Sequence, residues 1–215
     1  EDEEDADGDE EESYIFKPGD KTLLPADKQL RTVRLYGPVN KEVSSNIISA
    51  LCTFRDTATR KIVESLDANG SPVFVDFNEP IELILSTPGG TADDMFAMYD
   101  MMREVQKTCE IHTFGLGQIM SAGVLLMAAG TKGYRRAGKH TRFMIHNTVS
   151  GYGGNLEELT ALYNEALYVQ NSYVSELSSL TKLSKKKLET ILKKKTDYYF
   201  SAEEALKFGI IDSIV

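Results

Sequence analysis

No apolar run in this sequence approaches the ~20 residues of a membrane-spanning helix, so no bilayer span is expected. No charged-then-apolar stretch opens it, so no secretory signal is expected either. Cysteine is scarce: Cys52 and Cys109 lie singly inside apolar patterns. That argues against a disulfide framework and reads as two buried free thiols in a reducing, cytoplasmic or equivalent organellar interior. Of the three histidines, His112, His140 and His146, the last two lack nearby ligands at metal-site spacing, and the cysteines are isolated, so no metal is expected. There is no P-loop, and no Gly-x-Gly-x-x-Gly follows a strand; the chain carries no recognisable ATPase and no cofactor site of its own. Basic residues cluster only at Lys185-Lys186-Lys187 and Lys193-Lys194-Lys195, with no aromatic stacking platform between them. They read as a solvated helix face, and a nucleic-acid partner is disfavoured.

Acid is what the chain has in abundance, and it is unevenly placed. The formal net charge is −9, yet residues 1–12 alone hold ten acids and no base, and without them the balance is about +1. Such a block repels itself and has nothing to bury, so residues 1–13 are expected to form a disordered acidic tail. Residues 14–30, with Lys17-Pro18-Gly19-Asp20 and Leu24-Pro25, read as an irregular arm. Residues 31–215 are enough for one domain with a sizeable core.

Within that domain, strand and helix signals alternate. Thr32 to Tyr36 alternates and stops at Gly37-Pro38, a strand. Asn40 can cap a helix whose Val43, Ile47, Ala50, Leu51 and Phe54 share one face. Asn69-Gly70-Ser71-Pro72 breaks the chain before strands at Val73–Phe77 and Ile81–Leu85. Gly89-Gly90 opens a helix striped by Met95, Met98, Tyr99, Met102 and Val105, with the methionines as core filler. Ile111–Leu116 is a strand, Ser121–Ala129 a small, apolar buried helix, and Arg142–His146 another strand. Ser150 to Gly154 reads as flexible. Asn155 then caps a long helix bearing Leu156, Leu159, Tyr163, Ala166, Leu167, Val174 and Leu177. Ser201 and Glu204 form a capping box for a last helix that stops at Gly209. The alternation predicts an α/β fold with parallel pairing.

Ser121, His146 and Asp197 are the chemically suggestive residues. A serine hydroxyl is a weak nucleophile until a base lies within hydrogen-bond reach, and the base needs an orienting carboxylate. Gly89-Gly90 offers backbone that a substrate can approach closely. Each residue also has a plainer reading: a helix N-cap for Ser121, a strand end for His146, a surface acid for Asp197, a turn for Pro88-Gly89-Gly90. The α/β-hydrolase elbow is not present, because Ile119 stands where Gly-x-Ser-x-Gly requires glycine.

Five segments together settle the choice. They are Ser86-Thr87-Pro88-Gly89-Gly90, Gly117 to Gly123, Ala128 to Gly133, Arg142 to His146, and Asp197 with Phe200 to Ala205 and Gly209 to Asp212. In this order they resemble the ClpP family, the proteolytic subunits of the Clp serine peptidases, from about Arg31 to Val215. The resemblance implies a crotonase-like spiral of ββα units with a protruding handle helix from Asn155. It implies a Ser121–His146–Asp197 triad, oxyanion donors at Gly90 N–H and Ala122 N–H, and stacked heptameric rings enclosing a chamber. It further implies unfolded polypeptide substrates, paired by strand addition near Ser150–Gly154, and a separate AAA+ unfoldase that uses ATP. Docking of that partner is in doubt at Glu82 and Arg136, where the family usually presents aromatic pocket residues, because a charged lining disfavours an apolar anchor. Further departures are Thr196 for an arginine that helps join the rings, Asn147-Thr148 for Gln-Pro, and a longer Arg55–Pro80 stretch expected to add surface helix and strand. A non-catalytic ring subunit paired with an active paralogue and a crotonase-fold acyl-CoA enzyme are the competing readings.

Overall fold

The computed structural model describes residues 31–148, 151, 153–194 and 196–215. The acidic tail, the arm, and Ser150 and Tyr152 of the proposed substrate-pairing stretch at Ser150–Gly154 therefore lie outside the described residues.

Element order follows from where the chain can bury itself. β1 (Thr32–Tyr36) leads to α1 (Lys41–Asp56), capped by Asn40, whose side chain accepts from Val43 N–H at 3.0 Å. β2 (Thr59–Leu66) and β3 (Pro72–Asn78) follow, then β4 (Ile81–Thr87), α2 (Ala92–Val105), β5 (Ile111–Met120) and α3 (Ala122–Ala128). The chain continues through β6 (Arg135–Ala137), β7 (Arg142–Ile145), α4 (Leu156–Leu180), α5 (Lys185–Leu192), β8 (Tyr198–Phe200), α6 (Ala202–Phe208) and β9 (Ser213–Ile214).

The main sheet runs β1-β4-β5-β6-β9 with every neighbour parallel. β5 is the branch point. Its first half, Thr113–Gly115, pairs with β6, and its second half, Gln118–Met120, pairs with β7. β8 then adds antiparallel to β7. The two faces of the sheet and α3 define the core, in which Leu35, Leu51, Leu85, Met98, Ile111, Ile119 and Phe143 are essentially inaccessible. Each such side chain contributes about 1.5–3 kcal/mol by leaving water. α3 is apolar all round because it is buried all round, from Ala122 through Ala128.

The predicted strands and helices are present, with differences. β5 extends past Leu116 to Met120, and β6, β8 and β9 appear where no strand is predicted. β6 carries Arg135, which is buried and bonded to Asp212 through Nη2–Oδ1 at 2.7 Å and Nε–Oδ2 at 2.8 Å. Asp212 also accepts from Gly133 N–H, while Arg135 Nη1 donates to the Ala128 and Leu180 carbonyls. One largely buried ion pair thus ties together three segments distant in sequence: Ala128–Arg135, the end of α4 at Leu180, and Asp212. Burial alone would raise the Asp212 carboxyl, but the Arg135 side chain and the backbone donors overcome it and hold the pKa below the ordinary value.

The Arg55–Pro80 stretch is strand rather than helix beyond the end of α1. β2 and β3 form a separate antiparallel hairpin with a register shift between Val63 and Ser65. Phe74, Phe77, Ile62 and Leu66 are all exposed on it. Its base is fixed by Arg31, which donates to the Phe54, Thr57 and Pro80 carbonyls and lies over the Phe54 ring. α4 is only lightly buried: Val174 and Leu177 reach the core, whereas Leu156, Leu159, Tyr163 and Tyr168 are exposed along its first half. Both cysteines are free, with Cys109 buried and Cys52 partly so. Among the described residues no helix is long and apolar enough to cross a membrane.

Candidate active site

Three elements bring Ser121, His146 and Asp197 together. The parallel register Met120↔Met144 ends β5 and β7 side by side, and Ser121 N–H donates to the Met144 carbonyl at 2.8 Å. His146 is two residues further on. The antiparallel register Ile145↔Tyr198 continues by one step to set Asp197 opposite His146. His146 Nε2 lies 2.8 Å from Ser121 Oγ. His146 Nδ1 lies 3.7 Å from Asp197 Oδ1, an ion-pair distance longer than a hydrogen bond. Tyr199 Oη donates to the other oxygen, Asp197 Oδ2, at 3.2 Å. The Asp197 side chain is 47% exposed, His146 28%.

Ser121 is conformationally singular. Its φ is 53° and ψ is −117°, and among the described residues no other non-glycine has positive φ. That region costs of order 1–3 kcal/mol for a side-chain-bearing residue and persists only where the surroundings enforce it. The strain has a geometric result: Ser121 precedes α3 as its N-cap residue, yet its hydroxyl makes no capping bond. Oγ is turned to His146 instead. The hydrolase elbow motif is absent from the sequence, but the chain makes a comparable sharp strand-to-helix turn without its glycine.

Gly89 packs directly on this turn. A Cβ on it would stand 2.6 Å from Ser121 Cβ, and its φ of +91° suits only glycine. Gly90 is held by a short parallel bridge to Val39, and a Cβ there would lie 1.9 Å from the Val39 carbonyl oxygen. Val39 N–H donates to Gly89 O and Thr91 N–H to Val39 O, which leaves Gly90 N–H outside the ladder. Ala122 N–H opens α3, where the first amides have no helical acceptor. Among the described residues neither of these two amides donates to a protein acceptor. Both residues line the same cleft as Ser121 and His146.

The cleft is about 660 Å³. α2 contributes Asp93 and Met95, and α4 contributes Glu165, Ala166, Val169, Gln170 and Tyr173. Tyr173 is absent from the residues singled out by sequence. A signal existed: Ala166, Val169, Gln170 and Tyr173 follow helical spacing and share one face. Tyr173 Oη donates to the Ser121 carbonyl at 3.2 Å. Asn147, next to His146, donates to the Leu192 carbonyl and lines the cleft. Away from it, Glu82 and Arg136 meet across β5 in a 2.9 Å ion pair, with Arg136 5.2 Å from the Phe114 ring centroid.

An α/β fold that sets a strained serine 2.8 Å from a histidine, beside two backbone amides without an acceptor among the described residues, holds the groups that acyl-transfer chemistry uses. Comparison with known proteins narrows this. The family model described as Clp protease matches residues 73–215. The ATP-dependent Clp protease proteolytic subunit 1 of Prochlorococcus marinus subsp. pastoris is 35% identical over 165 residues, covering 74% of this chain and 78% of its own length. The ATP-dependent Clp protease proteolytic subunit of Deinococcus radiodurans is 33% identical over 180 residues, covering 81% of this chain and 86% of its own. The proteolytic subunit 2 of Thermobifida fusca is 33% identical over 140 residues, covering 65% and 67%. This chain belongs to the Clp protease family, a family of peptidases, and its fold is that family's ClpP/crotonase-like α/β architecture.

Proposed function

We propose that the chain is the proteolytic subunit of a Clp-type protease and works as a serine endopeptidase. Ser121 Oγ attacks the peptide carbonyl while His146 Nε2 accepts its proton. A tetrahedral oxyanion forms between Gly90 N–H and Ala122 N–H. Its collapse breaks the C–N bond as His146 returns the proton to the leaving amine. Water, deprotonated by the same imidazole, then releases the acyl group and restores Ser121. Asp197 orients the imidazole and stabilises its charged form. The 3.7 Å separation suits a resting site, since such contacts commonly tighten when substrate binds.

The observation that carries this reading is the 2.8 Å contact between His146 Nε2 and a serine hydroxyl withheld from its helix cap. Family membership sets the acyl-CoA reading aside. The non-catalytic reading has no observation in its favour. Homo-oligomeric stacked heptamers, unfolded polypeptide substrates, an intracellular or organellar location and a separate ATP-using AAA+ unfoldase complete the proposal. The exposed Leu156–Tyr168 half of α4 supports ring contact, because a monomer would leave that surface wet. The Glu82–Arg136 pair counts against an apolar anchor at that point of the partner's dock, since its insertion would have to desolvate both charges. Hydrolysis of short fluorogenic peptides tests the enzymatic core. The wild type should turn them over and Ser121→Ala should not; equal rates in the two would overturn it.

A further inference from the structure

Ser121 and Ala122 share one peptide unit, and that unit faces two ways. A trans peptide holds C=O and N–H antiparallel in a plane. The Ser121 carbonyl accepts from Val124 N–H at 3.0 Å and from Tyr173 Oη at 3.2 Å. The opposite end, Ala122 N–H, is one of the two free amides beside the nucleophile. Whatever fixes the carbonyl therefore fixes the aim of the amide.

The two bonds are not equivalent. Val124 belongs to the first turn of α3 and moves with it. Tyr173 belongs to α4, 52 residues further along the chain, and reaches the peptide from an independent element. Such outside bracing matters here because Ser121 sits in a region that its backbone would leave if released. Donation to the carbonyl also polarises the peptide and strengthens its N–H as a donor. Burial pushes the Tyr173 phenol up, so it keeps its proton at working pH. The ring packs against the core and walls the cleft, so the hydroxyl is held without a rotamer search.

We propose that Tyr173 is a positioning residue for the oxyanion hole, its hydroxyl locking the Ser121–Ala122 peptide so that Ala122 N–H points at the developing oxyanion. The proposal rests on the serine-peptidase reading above. It predicts a defect confined to the transition state, because the ground-state substrate makes no demand on that amide.

The test is Tyr173→Phe in the full-length protein, which removes one oxygen and keeps the ring. We expect kcat to fall about tenfold, somewhat less than loss of a whole oxyanion donor, with KM changed less than about twofold. Affinity for a peptide boronate, whose tetrahedral adduct puts oxygen in the hole, should weaken by the same factor. Unchanged kcat and boronate affinity would overturn the proposal, as would a rise in KM alone, which would make Tyr173 only a cleft wall. A fall in all parameters together with a lower melting temperature or assembly mass would also overturn it, as a merely structural role. Tyr173→Leu extends the test: KM should now change, while kcat falls by no less than in Tyr173→Phe. Wild-type protein that fails to form a boronate adduct at Ser121 would overturn the peptidase reading itself, and this proposal with it; an adduct with an unaltered Tyr173→Phe variant overturns this proposal alone.

Discussion

Two serines stand at the N-termini of helices in this molecule and do opposite things. Ser201, before α6, has φ −86° and ψ 173°, accepts from Glu204 N–H and completes a capping box. Ser121, before α3, has φ 53° and ψ −117° and caps nothing. The residue type and the helical position are the same. What differs is the chain before each: Ser201 follows the short edge strand β8, whereas Ser121 follows β5, which is clamped between β4 and β7. A clamped strand can force its last residue into a strained turn, and there the hydroxyl is released from capping. A free edge lets the serine relax into its ordinary role. Position on a helix thus says little about a serine's function; the constraint upstream decides it.

The largest effect should come from removing the unusual hydroxyl. Ser121→Ala should lower peptide hydrolysis by several orders of magnitude, on the order of 10⁴-fold or more, while chemical denaturation changes by less than about 0.5 kcal/mol. A loss of stability typical of a lost cap would place Ser121 with Ser201. Next in size is the α6 side. Asp212 lies just beyond that helix and holds buried Arg135, so Asp212→Asn should cost on the order of 3 kcal/mol at neutral pH. Because the folded Asp212 pKa is depressed, its contribution is full above the ordinary carboxylate range and disappears as pH falls through the folded value. The variant's stability should therefore depend less on pH on the acid side than that of the wild type; parallel acid limbs in urea titrations would contradict this.

Smaller still, Ser201→Ala should cost about 1 kcal/mol, read as a lower melting temperature, with kcat/KM intact. Ser121→Gly should go the other way, gaining roughly 1 kcal/mol by relieving the positive φ while abolishing activity. Equal and opposite behaviour of these two serines is what the contrast requires. The smallest change is expected at the half-exposed Glu82–Arg136 pair: a double-mutant cycle should give under about 1 kcal/mol of coupling, diminishing with salt.

Much of this was legible in the sequence, for local reasons. Asn40, Asn155 and the Ser201–Glu204 box announce helices because capping is settled within three or four residues. The stripe from Met95 to Val105 announces a buried face in the same way, and these five residues are buried. The missed features depend on distant partners. β6 looks polar because Arg135 is in it, and only Asp212, 77 residues later, makes that arginine a core residue. The strained φ of Ser121 leaves no mark on a sequence without the elbow glycine. Tyr173 looks like one more helix aromatic until the Ser121 carbonyl is known to be in reach. The hairpin from Thr59 to Asn78 is legible in one strand only: Val73–Phe77 is rich in β-branched and aromatic residues, but charged Arg60, Lys61 and Glu64 obscure its partner strand.

The central claim is that strain at Ser121 delivers a reactive hydroxyl to His146. Intact-mass measurement of the protein after reaction with a fluorophosphonate tests it most directly. The account predicts one adduct per chain, mapped by peptide sequencing to Ser121, and none in His146→Ala over the same time. No adduct on the wild-type chain, an adduct on another serine, or undiminished labelling in His146→Ala would contradict it.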